Sequence, residues 1–120
     1  MDWGTNTKLP DTIKAVYDSP FKIESDYHAV RKFPSLIPDK ISDLEAIINK
    51  NLKLFSKPFI TIWGNNQDLM WKGKDSILQQ NIVGAKNQIH YILDSNHFIQ
   101  EDKPEELTNI LIAFFKKNTK

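Results

Sequence analysis

The sequence predicts an α/β protein, because two short apolar runs alternate with helical patterns along the second half of the chain. The runs at residues 59–63 (FITIW) and 89–93 (IHYIL) are rich in β-branched and aromatic residues, and turn-forming residues follow each of them. Their nearly continuous apolar character is typical of parallel strands that are buried on both faces. The order strand, helix, strand, helix therefore predicts a parallel sheet with flanking helices.

Three helices are predicted around these strands. A capping box at Ser42 and Glu45 precedes apolar residues at helical spacing, which indicates a core-facing helix. Residues 74–80 fit a crossover helix between the two strands. The last helix is expected to begin with Asp102 as its N-cap, because Glu105 follows three residues later. Its predicted apolar stripe comprises Leu107, Ile110, Leu111, Phe114 and Phe115.

Prolines divide the first third of the chain into short helical stretches, which cover residues 12–17 and 26–31. This part differs from the regular alternation that follows, so we expect two structural regions. The first would comprise residues 1–38 and the second residues 39–120. The prolines are Pro10, Pro20, Pro34 and Pro38.

Composition excludes several classes of function. The 16 basic and 15 acidic residues are scattered and give a formal net charge of +1, so neither a nucleic acid nor a membrane surface is an expected partner. The chain has no cysteine, which excludes thiolate catalysis and cysteine-based zinc sites. His28 and His90 lack a metal-ligating partner at helical spacing and are interpreted as structural, so no metal is expected. We expect a soluble, cytoplasmic protein.

Two ionisable residues follow the predicted strands. Asp68 lies in the loop after the first strand and His97 in the loop after the second. Loops at the carboxyl ends of neighbouring parallel strands converge, so the two side chains could meet there. An aspartate that orients a histidine is part of a nucleophile, base and acid constellation. Taken alone, each residue is more often a loop residue without a role. Apolar residues, Phe98 and Ile99, directly follow His97 and predict that its loop turns back toward the core.

Five segments of the chain resemble segments of one enzyme family. Residues 96–102 (NHFIQED) resemble the segment around the family's catalytic histidine, and residues 17–21 (YDSPF) with 31–34 (RKFP) resemble its link between cap and core. Residues 57–61 (KPFIT) and 83–85 (VGA) resemble the start of the strand before the triad acid and the turn before the last strand. The family is that of the haloalkane dehalogenases, and the resemblance implies the C-terminal part of an α/β-hydrolase fold. Residues 1–38 would then be the end of a helical cap and its link, and residues 39–120 would be the core with the last two parallel strands.

The resemblance also implies a chemistry without metal or cofactor. In this family an aspartate displaces halide from a small halogenated organic substrate, and a histidine activates the water that hydrolyses the resulting alkyl ester. His97 matches the general base. Counting forward from the first strand places the acid that orients it on Gln67, whereas counting back from the following turn places it on Asp68. We assign Asp68, because a glutamine cannot stabilise an imidazolium by charge. Met70 and Trp71 are candidates for contacts with the substrate.

No segment of the chain resembles the family's nucleophile turn, which carries a small-x-Asp pattern. We therefore expect a truncated dehalogenase-like hydrolase that is inactive alone, with the missing N-terminal half as a candidate partner. Two alternatives stay open. One is another α/β-hydrolase, such as an epoxide hydrolase or an esterase. The other is a non-catalytic fragment that pairs with a second chain.

Overall fold

The computed structural model describes residues 4–36, 46, 49–65 and 75–119. The chain divides into two compact units. One unit combines Met1–Lys8 with Leu52–Lys120, and the other comprises Leu9–Asn51. The region boundary predicted after residue 38 lies outside the described residues and stays a prediction.

The unit Leu9–Asn51 contains short helices, as predicted. The prediction that Pro34 divides them is wrong, because Pro34 lies inside a helix that extends past the predicted end at residue 31. Helix α1 spans Asp11–Asp18, and a 3₁₀ helix at Glu24–Tyr27 leads into helix α2 at His28–Leu36. Asp26 fixes the start of the 3₁₀ helix, because its carboxylate accepts the backbone N–H of Ile23 at 3.0 Å. Residues 46 and 49–53 are helical. The predicted capping box at residues 42–45 lies outside the described residues.

The unit that combines Met1–Lys8 with Leu52–Lys120 contains a two-stranded parallel sheet. This sheet confirms the predicted α/β class within the described residues. Ile62 pairs with Tyr91 and Gly64 pairs with Leu93. A crossover helix separates the strands, within one residue of its predicted bounds, and one long helix follows. The elements are β1 at Ile62–Gly64, α3 at Asp75–Asn81, a 3₁₀ helix at Val83–Ala85, β2 at Tyr91–Leu93, α4 at Ile99–Asp102 and α5 at Pro104–Asn118.

Both strands begin later than predicted. Before β1, other groups accept hydrogen bonds from the backbone N–H groups of the preceding residues. The N–H of Phe59 donates to the carbonyl oxygen of Gly84 at 2.9 Å. The N–H of Thr61 donates to Nδ1 of His90 at 3.1 Å, and Nε2 of the same ring lies 3.1 Å from the carbonyl oxygen of Ala85. His90 thus joins the segments that lead into the two strands, which agrees with its interpretation as a structural residue.

The sheet is not buried on both faces in this chain, contrary to the prediction. The core lies on the side of Leu93, Ile82 and Ala85, which are buried. Ile92, the central residue of β2, is 61% exposed and points away from that core. The predicted apolar stripe of helix α5 is also only partly covered. Its residues Leu107, Ile110 and Phe114 are half-buried, whereas Leu111 and Phe115 are exposed. No described helix has the length and apolar character needed to span a membrane.

We expect His90→Ala to lower the free energy of unfolding by about 2 kcal/mol. The change removes the partner of the N–H of Thr61, which is a buried residue. It also removes one of two partners of the Ala85 carbonyl oxygen, which accepts the N–H of Gln88 as well. Denaturant unfolding of the purified chain measures the effect. His28→Ala is the matched control, since His28 is exposed and should change the value by less than about 0.5 kcal/mol. Equal values for the two variants would contradict the structural role of His90.

Candidate functional site

His97 lies in the loop that follows β2, where functional side chains gather in a parallel sheet. We call residues 94–98 the histidine loop. His97 is half-buried, and its ring packs edge-on against the ring of Phe98 with the centroids 5.0 Å apart. Phe98 and Ile99 are also half-buried. The loop thus turns back toward the protein after the histidine, as the apolar residues at these positions predict.

Backbone groups on both sides of His97 are fixed by hydrogen bonds. Before the histidine, the N–H of Asn96 donates to Oδ2 of Asp102 at 2.8 Å, and Oδ1 of Asn96 accepts the N–H of His97 at 2.9 Å. After the histidine, the N–H of Phe98 donates to the carbonyl oxygen of Gly4 at 2.7 Å. These bonds define the backbone from which the imidazole projects.

The N-terminal segment, residues 4–6, lies against the histidine loop. The N–H of Asn6 donates to Oδ1 of Asp102 at 2.8 Å, and its side-chain amide donates to the carbonyl oxygen of Asp94 at 3.0 Å. Gly4 is buried, and a Cβ atom at this position would overlap the ring of Phe98. A side chain at residue 4 would therefore require the Phe98 ring to move.

The prediction that Asp102 caps the last helix is wrong. Asp102 ends the short helix α4, and α5 begins at Pro104 with Lys103 as its N-cap. Two backbone donors from elsewhere, those of Asn6 and Asn96, occupy the Asp102 carboxylate. The sequence analysis missed this role because backbone donors carry no residue-specific signal.

Gly64, the last residue of β1, allows the histidine loop to lie close to the end of the first strand. A Cβ atom at residue 64 would lie 2.5 Å from the carbonyl oxygen of Ser95 and 2.6 Å from that of Asn96. Ser95 is fully buried at this contact. The carboxyl ends of the two strands are thus brought together, as expected for a site at this edge of the sheet.

We expect Gly64→Ala to displace the histidine loop and to lower the free energy of unfolding by about 1–3 kcal/mol, because backbone atoms must move to admit the new methyl group. Chemical unfolding measures the loss, and the amide chemical shifts of residues 95–98 report the displacement. Asn65→Ala provides the control, since the Asn65 side chain is exposed next to the same strand end. Unchanged shifts in the Gly64 variant would contradict the close approach.

The other predicted site residues lie outside the described residues. They are the acid candidates Asp68 and Gln67 and the substrate-contact candidates Met70 and Trp71. The structure therefore places the histidine alone among the predicted set. Within the described ranges, no group of three or more histidine and acidic side chains could hold a metal ion.

Known proteins are similar to the chain over nearly all of its length. A haloalkane dehalogenase of Psychrobacter cryohalolentis is 36% identical over 120 residues, which cover 96% of this chain and 39% of the relative. A haloalkane dehalogenase of Mycobacterium marinum is also 36% identical, over 92% of the chain and 38% of its own length. The chain is a relative of the haloalkane dehalogenases. Haloalkane dehalogenase 1 of Mycobacterium bovis matches at 30% identity over 95% of the chain.

The similarity confirms the resemblance to haloalkane dehalogenases. The chain spans about two fifths of the length of these relatives, which agrees with the resemblance to a C-terminal portion. The sequence similarity and the parallel strands with their flanking helices together assign the chain to part of an α/β-hydrolase fold. No family model matches the chain.

Proposed function

We propose that this chain supplies the general base of a hydrolase that cleaves carbon–halogen bonds in small organic molecules. The sequence identity to haloalkane dehalogenases over nearly the whole chain carries the proposal. Within it, His97 is the base and Asp68 the acid that orients it. Met70 and Trp71 contact the substrate.

The reaction has two steps. In the first, an aspartate from another part of the hydrolase attacks the carbon that bears the halogen, so that a carbon–oxygen bond forms and halide leaves with the bonding electrons. In the second, His97 takes a proton from water, and the hydroxide attacks the carbonyl carbon of the ester. The acyl carbon–oxygen bond then breaks, the departing oxygen leaves as an alcohol with the proton of the hydroxide, and the aspartate is regenerated. The imidazolium of His97 afterwards releases its proton to solvent. The carboxylate of Asp68 stabilises the imidazolium that forms.

The geometry around His97 supports a catalytic role. Its loop follows the end of a parallel strand, and the N–H groups of both neighbouring residues are held by hydrogen bonds. A base must remain within hydrogen-bond reach of the water that it activates, and a fixed backbone favours this. Half-burial also limits the amount of bulk water around the ring.

The apolar surface of the sheet supports a further part of the proposal, that the remainder of the hydrolase packs against this chain. Ile92 on β2 is 61% exposed, and Ile89 just before the strand is 67% exposed. Parallel sheets normally carry covering elements on both faces. We propose that these elements and the nucleophile correspond to the part of the relatives' sequences that this chain does not match. A cytoplasmic location stays a prediction.

A complementation experiment tests the proposed function. The chain would be fused behind the N-terminal portion of the Psychrobacter relative, and halide release from a panel of brominated and chlorinated alkanes would be measured. We expect release by the fusion and none by the chain alone. Hydrolysis of epoxides or carboxylic esters without halide release would instead assign the chain to another type of α/β-hydrolase. A folded fusion without any of these activities would support a non-catalytic fragment.

A further inference from the structure

The carboxylate of Asp102 joins two parts of the chain that are distant in sequence. Its Oδ1 accepts the N–H of Asn6 at 2.8 Å, and its Oδ2 accepts the N–H of Asn96 at 2.8 Å. Asn96 directly precedes the candidate base, His97. Hydrogen bonds to an ionised carboxylate are among the stronger ones in proteins, and here the acceptor is half-buried.

A second connection runs from the N-terminal segment to the other side of His97. The carbonyl oxygen of Gly4 accepts the N–H of Phe98 at 2.7 Å. The segment 4–6 is thus connected to the histidine loop in three ways. One connection runs through the Asp102 carboxylate, one from the Asn6 side-chain amide to the carbonyl oxygen of Asp94, and one from the Phe98 N–H to Gly4. Loss of the Asp102 carboxylate would release the backbone N–H of Asn96 and would remove one of these three connections.

We propose that Asp102 is a positioning residue for His97, which it controls by fixing the backbone at Asn96 and by attaching segment 4–6 to the histidine loop. This inference rests on the proposed function, in which His97 is the general base. A base displaced by about 1 Å can lose about a hundredfold in rate, so a strong bond one residue away has a direct effect on catalysis. Asp102 itself touches neither water nor substrate in this scheme.

The test uses nuclear magnetic resonance on the chain itself. Asp102→Ala removes both acceptors, so amide hydrogen exchange at Asn6 and Asn96 should accelerate at least about tenfold. The imidazole signals of His97 should also change in chemical shift. The imidazole signals of His90 and the amide of Tyr91, which bonds Thr61 in the sheet, should stay as in the parent chain.

Two further variants keep the test decisive. Asp102→Asn retains one acceptor oxygen and the shape of the side chain, so exchange should accelerate at one of the two amides and the fold should persist. This variant decides the question if Asp102→Ala does not fold. Glu106→Gln is the control for loss of one negative charge, because Glu106 is exposed in the first turn of α5. It should leave the signals of His97 unchanged.

Two results would overturn the proposal. One is an unchanged Asn96 amide and His97 imidazole in a folded Asp102 variant. The other is equal acceleration at Tyr91 and Asn96, which would show that Asp102 stabilises the whole unit instead of the histidine loop. None of these measurements needs a substrate. A failure of halide release in the fusion would therefore overturn the proposed function and leave the result for Asp102 unaffected.

Discussion

Among the glycines that the structure describes, Gly84 is the one at which substitution by alanine is expected to cause the largest loss of stability. A Cβ atom at residue 84 would overlap the carbonyl oxygen of Lys57, which is a backbone atom and cannot rotate away. The same glycine donates its N–H to the carbonyl oxygen of Phe55 at 2.8 Å and accepts the N–H of Phe59 at 2.9 Å. Relief of the overlap would therefore stretch or break two hydrogen bonds.

The expected cost is about 3 kcal/mol, the upper part of the usual range for overpacking, because backbone must move on both sides of the contact. Urea unfolding followed by circular dichroism measures this loss. Val83→Ala is the control in the same 3₁₀ helix, since Val83 is exposed, and it should cost much less. A Gly84 variant as stable as the Val83 variant would show that the segment at residues 55–59 does not lie against this turn.

The sheet could be predicted because its signal is local. Apolar, β-rich runs followed by turn residues identified both strands and their parallel pairing. The first residue of β1 could not be predicted, because the side chain of His90 and the carbonyl oxygen of Gly84 accept hydrogen bonds from the backbone N–H groups of Thr61 and Phe59. The exposure of Ile92 was not predicted either. An apolar run indicates that both faces of a strand can be covered, but it does not identify the residues that cover them.

In the candidate site, too, features with a local sequence signal could be predicted and features that depend on distant residues could not. The position of His97 after a strand followed from the sequence, as did the return of its loop at Phe98. Asp102 was assigned to a helix cap because Glu105 follows it at capping-box spacing, a pattern that depends only on neighbours. The structure instead uses the Asp102 carboxylate for a bond to Asn6, 96 residues away in sequence. Such a partner leaves no periodic or compositional mark.

His97→Gln is expected to have the largest effect on activity in the fusion with the N-terminal portion of the relative. The substitution removes the base of the second step and leaves the attack of the aspartate on the substrate intact. Alkyl ester should therefore accumulate on the protein, with at most about one halide released per active site. Steady-state turnover should fall by about 10²- to 10⁴-fold, the usual contribution of a positioned general base.

Two measurements together check this expectation. Rapid-quench halide assays report the initial burst, and intact-protein mass spectrometry reports the alkyl group retained on the protein. His28→Ala is the control, because His28 is exposed at the start of α2 and lies outside the histidine loop. It should turn over like the parent fusion. Loss of the burst itself in a folded His97→Gln protein would mean that this residue acts before the ester forms, which contradicts its assignment as the base for hydrolysis.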